Sequence, residues 1–89
     1  MRTLAEVDEQ VRELSRGGNA AVRGVVFANM YIKVEAYEKA LAWLSQFLAQ
    51  RERDAEALQL SGACHLKLNR PKEALEFYRK SLEARPKVN

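Results

Sequence analysis

Apolar and polar positions along this chain fall into five helical patterns. Leu4, Val7, Val11 and Leu14 recur at steps of 3, 4 and 3, which places them on one face of a helix. Thr3 and Glu6 precede that run in capping-box spacing, so each side chain can satisfy an orphan amide at the helix start. Arg16-Gly17-Gly18 closes the pattern, and Asn19 stands where it could cap the next helix. Residues 20–34, AAVRGVVFANMYIKV, are apolar on most faces, as expected of a helix with neighbours on two sides. Residues 37–50 carry a further stripe of Ala40, Leu41, Leu44, Phe47 and Leu48, and the intervening VEA leaves room only for an antiparallel turn. Asp54 is a good cap for AEALQLSGACHLKL, and Pro71, pre-set in φ, suits the first turn of PKEALEFYRKSLEA. Pro86 then stops the last helix. The pattern predicts an all-α chain.

Four of the five helices form two pairs, and the pairs overlay. A shift of 34 residues sets Ala40 on Ala74, Leu41 on Leu75, Leu48 on Leu82, Lys33 on Lys67 and Arg51 on Arg85. It also sets Ala28 on Gly62, Tyr31 on His65, Trp43 on Phe77 and Leu44 on Tyr78. Small residues on the first helix (Ala28, Gly62) and the second (Ala40, Ala74) suit the point where the two helices of a pair approach most closely. The larger Leu44 and Tyr78 fill space against the following helix. That period and pattern are those of the tetratricopeptide repeat, whose helical hairpins stack into an α-solenoid. The first repeat has Glu52 where the second has Pro86. The expected organisation is an N-terminal capping helix in residues 1–18, one repeat in 19–53 and a second in 54–89.

Composition narrows the function classes. At 89 residues the chain holds one small domain. No apolar run approaches the ~20 residues that span a bilayer, and MRTLAEVDEQ turns acidic where a signal peptide needs an apolar stretch. An intracellular protein without a membrane partner is expected. Its one cysteine, Cys64, has no internal disulfide partner, and no metal-ligand spacing occurs. Cys64 and His65 are adjacent on a helix, so their side chains diverge by about 100° and cannot act together as nucleophile and base. Both are read as packing residues. No phosphate loop or paired-carboxylate site stands out, so neither catalysis nor a cofactor is expected.

What remains is surface. Stacked repeats offer a concave groove lined by the first helix of each pair, on which a partner's peptide or helix can lie. By register the groove residues are Val22, Val25, Asn29, Ile32 and Lys33 in repeat 1, with Glu56, Gln59, Ala63, Leu66 and Lys67 in repeat 2. Ile32 and Leu66 could instead pack against the capping helix or a further repeat. The carboxylate clamp of co-chaperone repeats is incomplete: Asn29 matches, but Val25 stands for a Lys and Leu60 for an Asn. The formal charge is +3, and Lys67, Arg70, Lys72, Arg79, Lys80, Arg85 and Lys87 gather toward the C-terminus. Phe77 and Tyr78 read as core rather than stacking groups, so any RNA affinity should be weak and electrostatic. Two repeats are fewer than a continuous core normally needs. The far face of the second pair, with Leu66 and Tyr78, is therefore expected to lie open and to drive self-association.

Taken in order, EVDEQVREL, GVVFANMYIKVEAYEKALAWL and QRERDAEALQLSGACHLKLNRPKEALEFYRKSLEARP resemble the extreme N-terminus of the Ran-binding nucleoporins of the cytoplasmic pore filaments. The resemblance covers essentially the whole chain. It implies a place at the cytoplasmic face of the nuclear pore complex, with other nucleoporins or transport factors as partners. It also implies a basic, RNA-binding surface. Ran binding and SUMO ligation would belong to other regions of such a protein.

Overall fold

A computed structural model describes residues 2–85. It consists of α1 (Leu4–Leu14), a 3-10 turn (Ala20–Arg23), α2 (Gly24–Lys33), α3 (Tyr37–Gln50), α4 (Ala55–Lys67) and α5 (Pro71–Ala84). Helices α2 and α3 form the first hairpin, α4 and α5 the second, and α3 packs on α4 to join them. Helix α1 lies against α2.

The helix ends follow from local chemistry. Thr3 Oγ1 accepts from the Glu6 amide at 3.2 Å, while Glu6 Oε1 accepts from the Thr3 amide at 3.0 Å, completing the expected capping box. That backbone bond from Thr3, with help from the Thr3 hydroxyl, lowers the Glu6 pKa. Asp54 caps α4, accepting from the Ala57 amide at 2.9 Å, and Pro71 opens α5. Arg85 is extended (φ −68°, ψ 141°), as a residue before proline should be. Pro86 and Lys87 lie outside the described residues.

The segment after α1 departs from expectation. Asn19 adopts a left-handed conformation (φ 54°) and makes no side-chain capping bond. Residues 20–23 form the tighter turn, so α2 begins only at Gly24. Gly24 itself packs directly on α3: a Cβ there would meet the Trp43 carbonyl oxygen at 2.6 Å and Phe47 Cβ at 2.8 Å. The Arg23 guanidinium donates to the Leu14 carbonyl, which ties this linker back to the end of α1.

Both hairpin turns share one geometry. Glu35 and Asn69, 34 positions apart, have φ values of 60° and 65°. In each turn two amides reach back: Glu35 to Ile32 and Ala36 to Tyr31, Asn69 to Leu66 and Arg70 to His65, at 2.9–3.0 Å. These bonds satisfy the last carbonyls of α2 and α4.

The core runs through both repeats. Phe27, Ala28, Tyr31, Ala40, Leu44, Phe47, Ala57, Leu58, Cys64 and Ala74 are buried. The small positions sit as read: a Cβ on Gly62 would lie 3.2 Å from the Ala74 carbonyl oxygen and 3.1 Å from Tyr78 Cδ1. Helix α1 contributes only Val7 and Val11, whereas Leu4 and Leu14, expected on the same buried face, are 40% and 43% exposed. The face of α2 that α1 covers is narrower than a stripe of four residues. Tyr78, expected on the open side, is half-buried against Gly62. The apolar residues exposed on α5 are Leu75 and Leu82, at 70% and 67%.

Candidate protein-interaction surface

Every groove residue read from the sequence occupies the first helix of its hairpin or, for Val22, the turn leading into it. Asn29 and Lys33 on α2, and Glu56, Gln59, Ala63 and Lys67 on α4, fall at steps of 3 and 4, so each set shares one helix face, while Val22 lies on the turn before α2. Exposure separates them. Val22 is 48% exposed, and Lys33, Glu56, Gln59 and Lys67 are exposed as well. Val25 and Ile32 are half-buried against the core, so most of their side-chain area is already used within the domain. Leu66, the repeat-2 equivalent of Ile32, is 55% exposed. The register thus separates into a core-facing Ile32 and a solvent-facing Leu66.

Asn29 Nδ2 donates to the Val25 carbonyl of its own helix at 3.1 Å. Val25 and Leu60 are partly buried against the core, so the clamp positions hold no cation or free amide for a carboxylate. Val26, 55% exposed, was missed by the register. It lies one residue beyond Val25, and a helix with apolar residues on most faces gives no stripe by which to choose between them.

The basic residues are largely engaged. Arg70 pairs with Glu38 across the two repeats, and Arg79 pairs with Glu76 at 3.5 Å. Arg85 donates to Gln59 Oε1 at 2.9 Å, joining a basic residue to a groove residue. Lys80 Nζ lies 5.7 Å from the Phe77 ring centroid. Lys67 and Lys72 are exposed on different helices. The result is a mosaic of paired charges with exposed lysines at its margins.

A cleft of about 450 Å³ opens between the repeats, lined by Leu41, Leu48, Ser61, His65 and Phe77, with the Arg70–Glu38 pair beside them. His65 stacks on Phe77 with centroids 5.2 Å apart and planes 15° apart, which agrees with its reading as a packing residue. Its Nδ1 is buried without a hydrogen-bond partner. Cys64 is buried, and burial pushes its thiol pKa up to about 11, away from a reactive thiolate. Among the described residues, no three His, Cys, Asp or Glu side chains cluster to hold a metal. No helix among them is long and apolar enough to cross a membrane.

One polar cluster links three helices. Asp8 of α1 accepts from the Tyr31 hydroxyl at 2.6 Å and from Lys39 Nζ at 2.8 Å. The Lys39 and Tyr31 hydrogen bonds lower the Asp8 pKa. Burial, reinforced by Asp8, raises the Tyr31 phenol to about 12. Sequence reading missed this cluster because Asp8, Tyr31 and Lys39 lie on three different elements.

Paired antiparallel helices repeating at 34 residues, with small residues at each crossing and the same left-handed turn, define a helical-repeat interaction module. The tetratricopeptide repeat family matches residues 28–87, and the chain belongs to that family. Over 85 residues, 93% of this chain, it is 32% identical to E3 SUMO-protein ligase RanBP2 of Drosophila melanogaster. Over 65 residues, 73% of the chain, it is 32% identical to human RANBP2-like and GRIP domain-containing protein 1. The chain spans only 3% and 4% of the length of those two relatives.

Proposed function

We propose that this chain is a non-catalytic docking segment of a nucleoporin-like protein at the cytoplasmic face of the nuclear pore. Its exposed α2 and α4 face would hold protein partners, either other nucleoporins or transport factors. The observation that carries the reading is the exposed set on those helices. Val22, Val26 and Leu66 supply apolar area, and Lys33, Glu56, Gln59 and Lys67 supply a polar rim, the composition of a binding patch. Asn29 and Ala63 are half-buried within that face, while Val25 and Ile32 pack against the core. The likeness to the RanBP2 proteins supports the location. An adaptor role away from the pore is the alternative within the same class.

The test is the location of the chain fused to a fluorescent protein. The nuclear rim is expected for the wild type, and diffuse signal for the Val26→Asp/Leu66→Asp variant, with Lys72→Glu/Lys80→Glu unchanged. Diffuse wild-type signal would overturn the pore assignment. Loss of the rim in the lysine variant alone would favour nucleic-acid binding through the basic face. That second reading predicts binding of a single-stranded oligonucleotide that fades steeply as salt rises to ~200 mM.

A further inference from the structure

Helix α1 is held differently from the other four. The hairpin helices pack in one continuous series, α2 on α3, α3 on α4 and α4 on α5, and α1 is added to one side of α2. Val7 and Val11 are its only buried residues, while Leu4 and Leu14 at its two ends are exposed. The seam is not filled: a cavity of about 270 Å³ remains at the end of α2, lined by Val7, Met30 and Val34 with Arg2 and Lys33 at its edge. The link to the repeats is unpacked as well. A Cβ on Gly17 or Gly18 would meet nothing within 4 Å, and Gly18 holds a φ of 80°. One exposed hydrogen bond, from Arg23 to the Leu14 carbonyl, ties the end of α1 to the turn that follows. Few buried apolar contacts mark a segment that opens before the rest of its fold.

One polar cluster opposes that opening. The Asp8 carboxylate accepts from the Tyr31 hydroxyl of α2 at 2.6 Å, and both its oxygens accept from Lys39 Nζ of α3 at 2.8 Å. Lys39 Nζ also lies 5.7 Å from the Tyr31 ring centroid. Two helices of repeat 1 thus grip α1 at a single carboxylate, and hydrogen bonds to an ionised group are the stronger kind. We propose that α1 is a strap that opens as a unit from an intact repeat pair, and that Asp8 is the latch by which Tyr31 and Lys39 hold it closed. Opening breaks no contact within either hairpin. It uncovers Tyr31 and the side of α2 beside Met30, together with Val7 and Val11 on the strap. One latch therefore sets how much apolar surface repeat 1 shows to water.

Hydrogen exchange of the whole chain in native buffer, read by peptide mass spectrometry, tests both parts. In the wild type the amides of α1 should exchange together, and faster than those of α3 and α4. Asp8→Asn should speed exchange along all of α1 by roughly 10-fold or more, the effect of losing hydrogen bonds to a charged group, with α3 and α4 unchanged. Tyr31→Phe and Lys39→Met should act in the same direction by less. Both lie outside α1, so their effect on its amides cannot come from its own helix propensity. Val11→Asp unseats the strap outright and should leave α3 and α4 protected, with a cooperative urea transition. Amides of α1 that exchange at the rate of α4, or protection lost throughout in Val11→Asp, would overturn the strap. Unchanged α1 exchange in Tyr31→Phe and Lys39→Met, or acceleration spread equally over α1, α3 and α4, would overturn the latch.

Discussion

In repeat 1, Gly24 lies against Phe47, and 34 residues later the equivalent positions are Leu58 and Ser81, both buried. Volume has moved from one helix of the hairpin to the other. The neighbouring pair is exchanged in the opposite direction, Ala28 with Leu44 becoming Gly62 with Tyr78, and Phe27 becomes Ser61. The two repeats therefore share backbone geometry while filling their interiors differently. Repeat 1 uses aromatic bulk, including Phe27 and Trp43 with centroids 4.7 Å apart. Repeat 2 buries two serines, whose hydroxyls donate to the Ala57 and Ala55 carbonyls at 2.9 and 3.0 Å. What holds the hairpin together is the sum of volumes at facing positions, and no single residue of the motif.

The sharpest break of this comparison is to move one side of an exchange alone. Gly24→Leu should cost about 3 kcal/mol, near the top of the overpacking range, because its Cβ would meet the Trp43 carbonyl. Adding Phe47→Ser, the repeat-2 solution, should recover part of that loss, with a coupling of about 1–3 kcal/mol in a urea double-mutant cycle. Strict additivity would mean that the two positions do not share a volume.

The equivalent test in repeat 2 is milder. Ala74→Leu inserts bulk where α5 passes Gly62 and should lower stability by about 1–3 kcal/mol. An unchanged denaturation midpoint would show that the hairpin can open there without strain.

The turns offer a gain instead of a loss. Glu35 and Asn69 hold the same left-handed conformation, but asparagine tolerates it better than glutamate. Glu35→Gly should raise stability by about 0.5–1 kcal/mol, and Asn69→Gly by less. Thermal melts of the two variants measure the difference between the repeats directly.

A further effect appears only in alkali. The folded chain keeps Tyr31 protonated up to about pH 12 and Cys64 up to about pH 11, against ordinary values of 10.0 and 9.0. The unfolded chain releases those protons earlier, so this stabilisation is full below about pH 9 and declines as pH rises toward 12. Tyr31→Phe should flatten the upper part of that decline, from pH 10 to 12. Asp8 acts with the opposite sign: its lowered pKa gives stability present above pH 3.8 that fades as pH falls further.

These pairs also show what was legible before the structure. The hairpins, caps at Thr3 and Asp54, and small crossings at Gly62 and Ala74 could be read because each rests on residues close in sequence or at one fixed period. The fate of Asn19 could not, because its left-handed backbone and missing cap bond follow from a 3-10 turn that no residue pattern marks. Leu75 and Leu82 matched Leu41 and Leu48 in sequence, yet their exposure depends on whether another helix follows in space. The groove was legible as a register, while the division of Ile32 from Leu66 and the cluster around Asp8 depended on how α1 is seated.

Cys64 has a further consequence. It is the single thiol of the chain, 1% exposed and held protonated by burial, so a thiol reagent reaches it only when α4 separates from its neighbours. Its labelling rate is therefore a built-in clock for the opening of repeat 2. Read while a partner or a second copy is titrated in, that clock would report how firmly each one closes the hairpin, without any added probe.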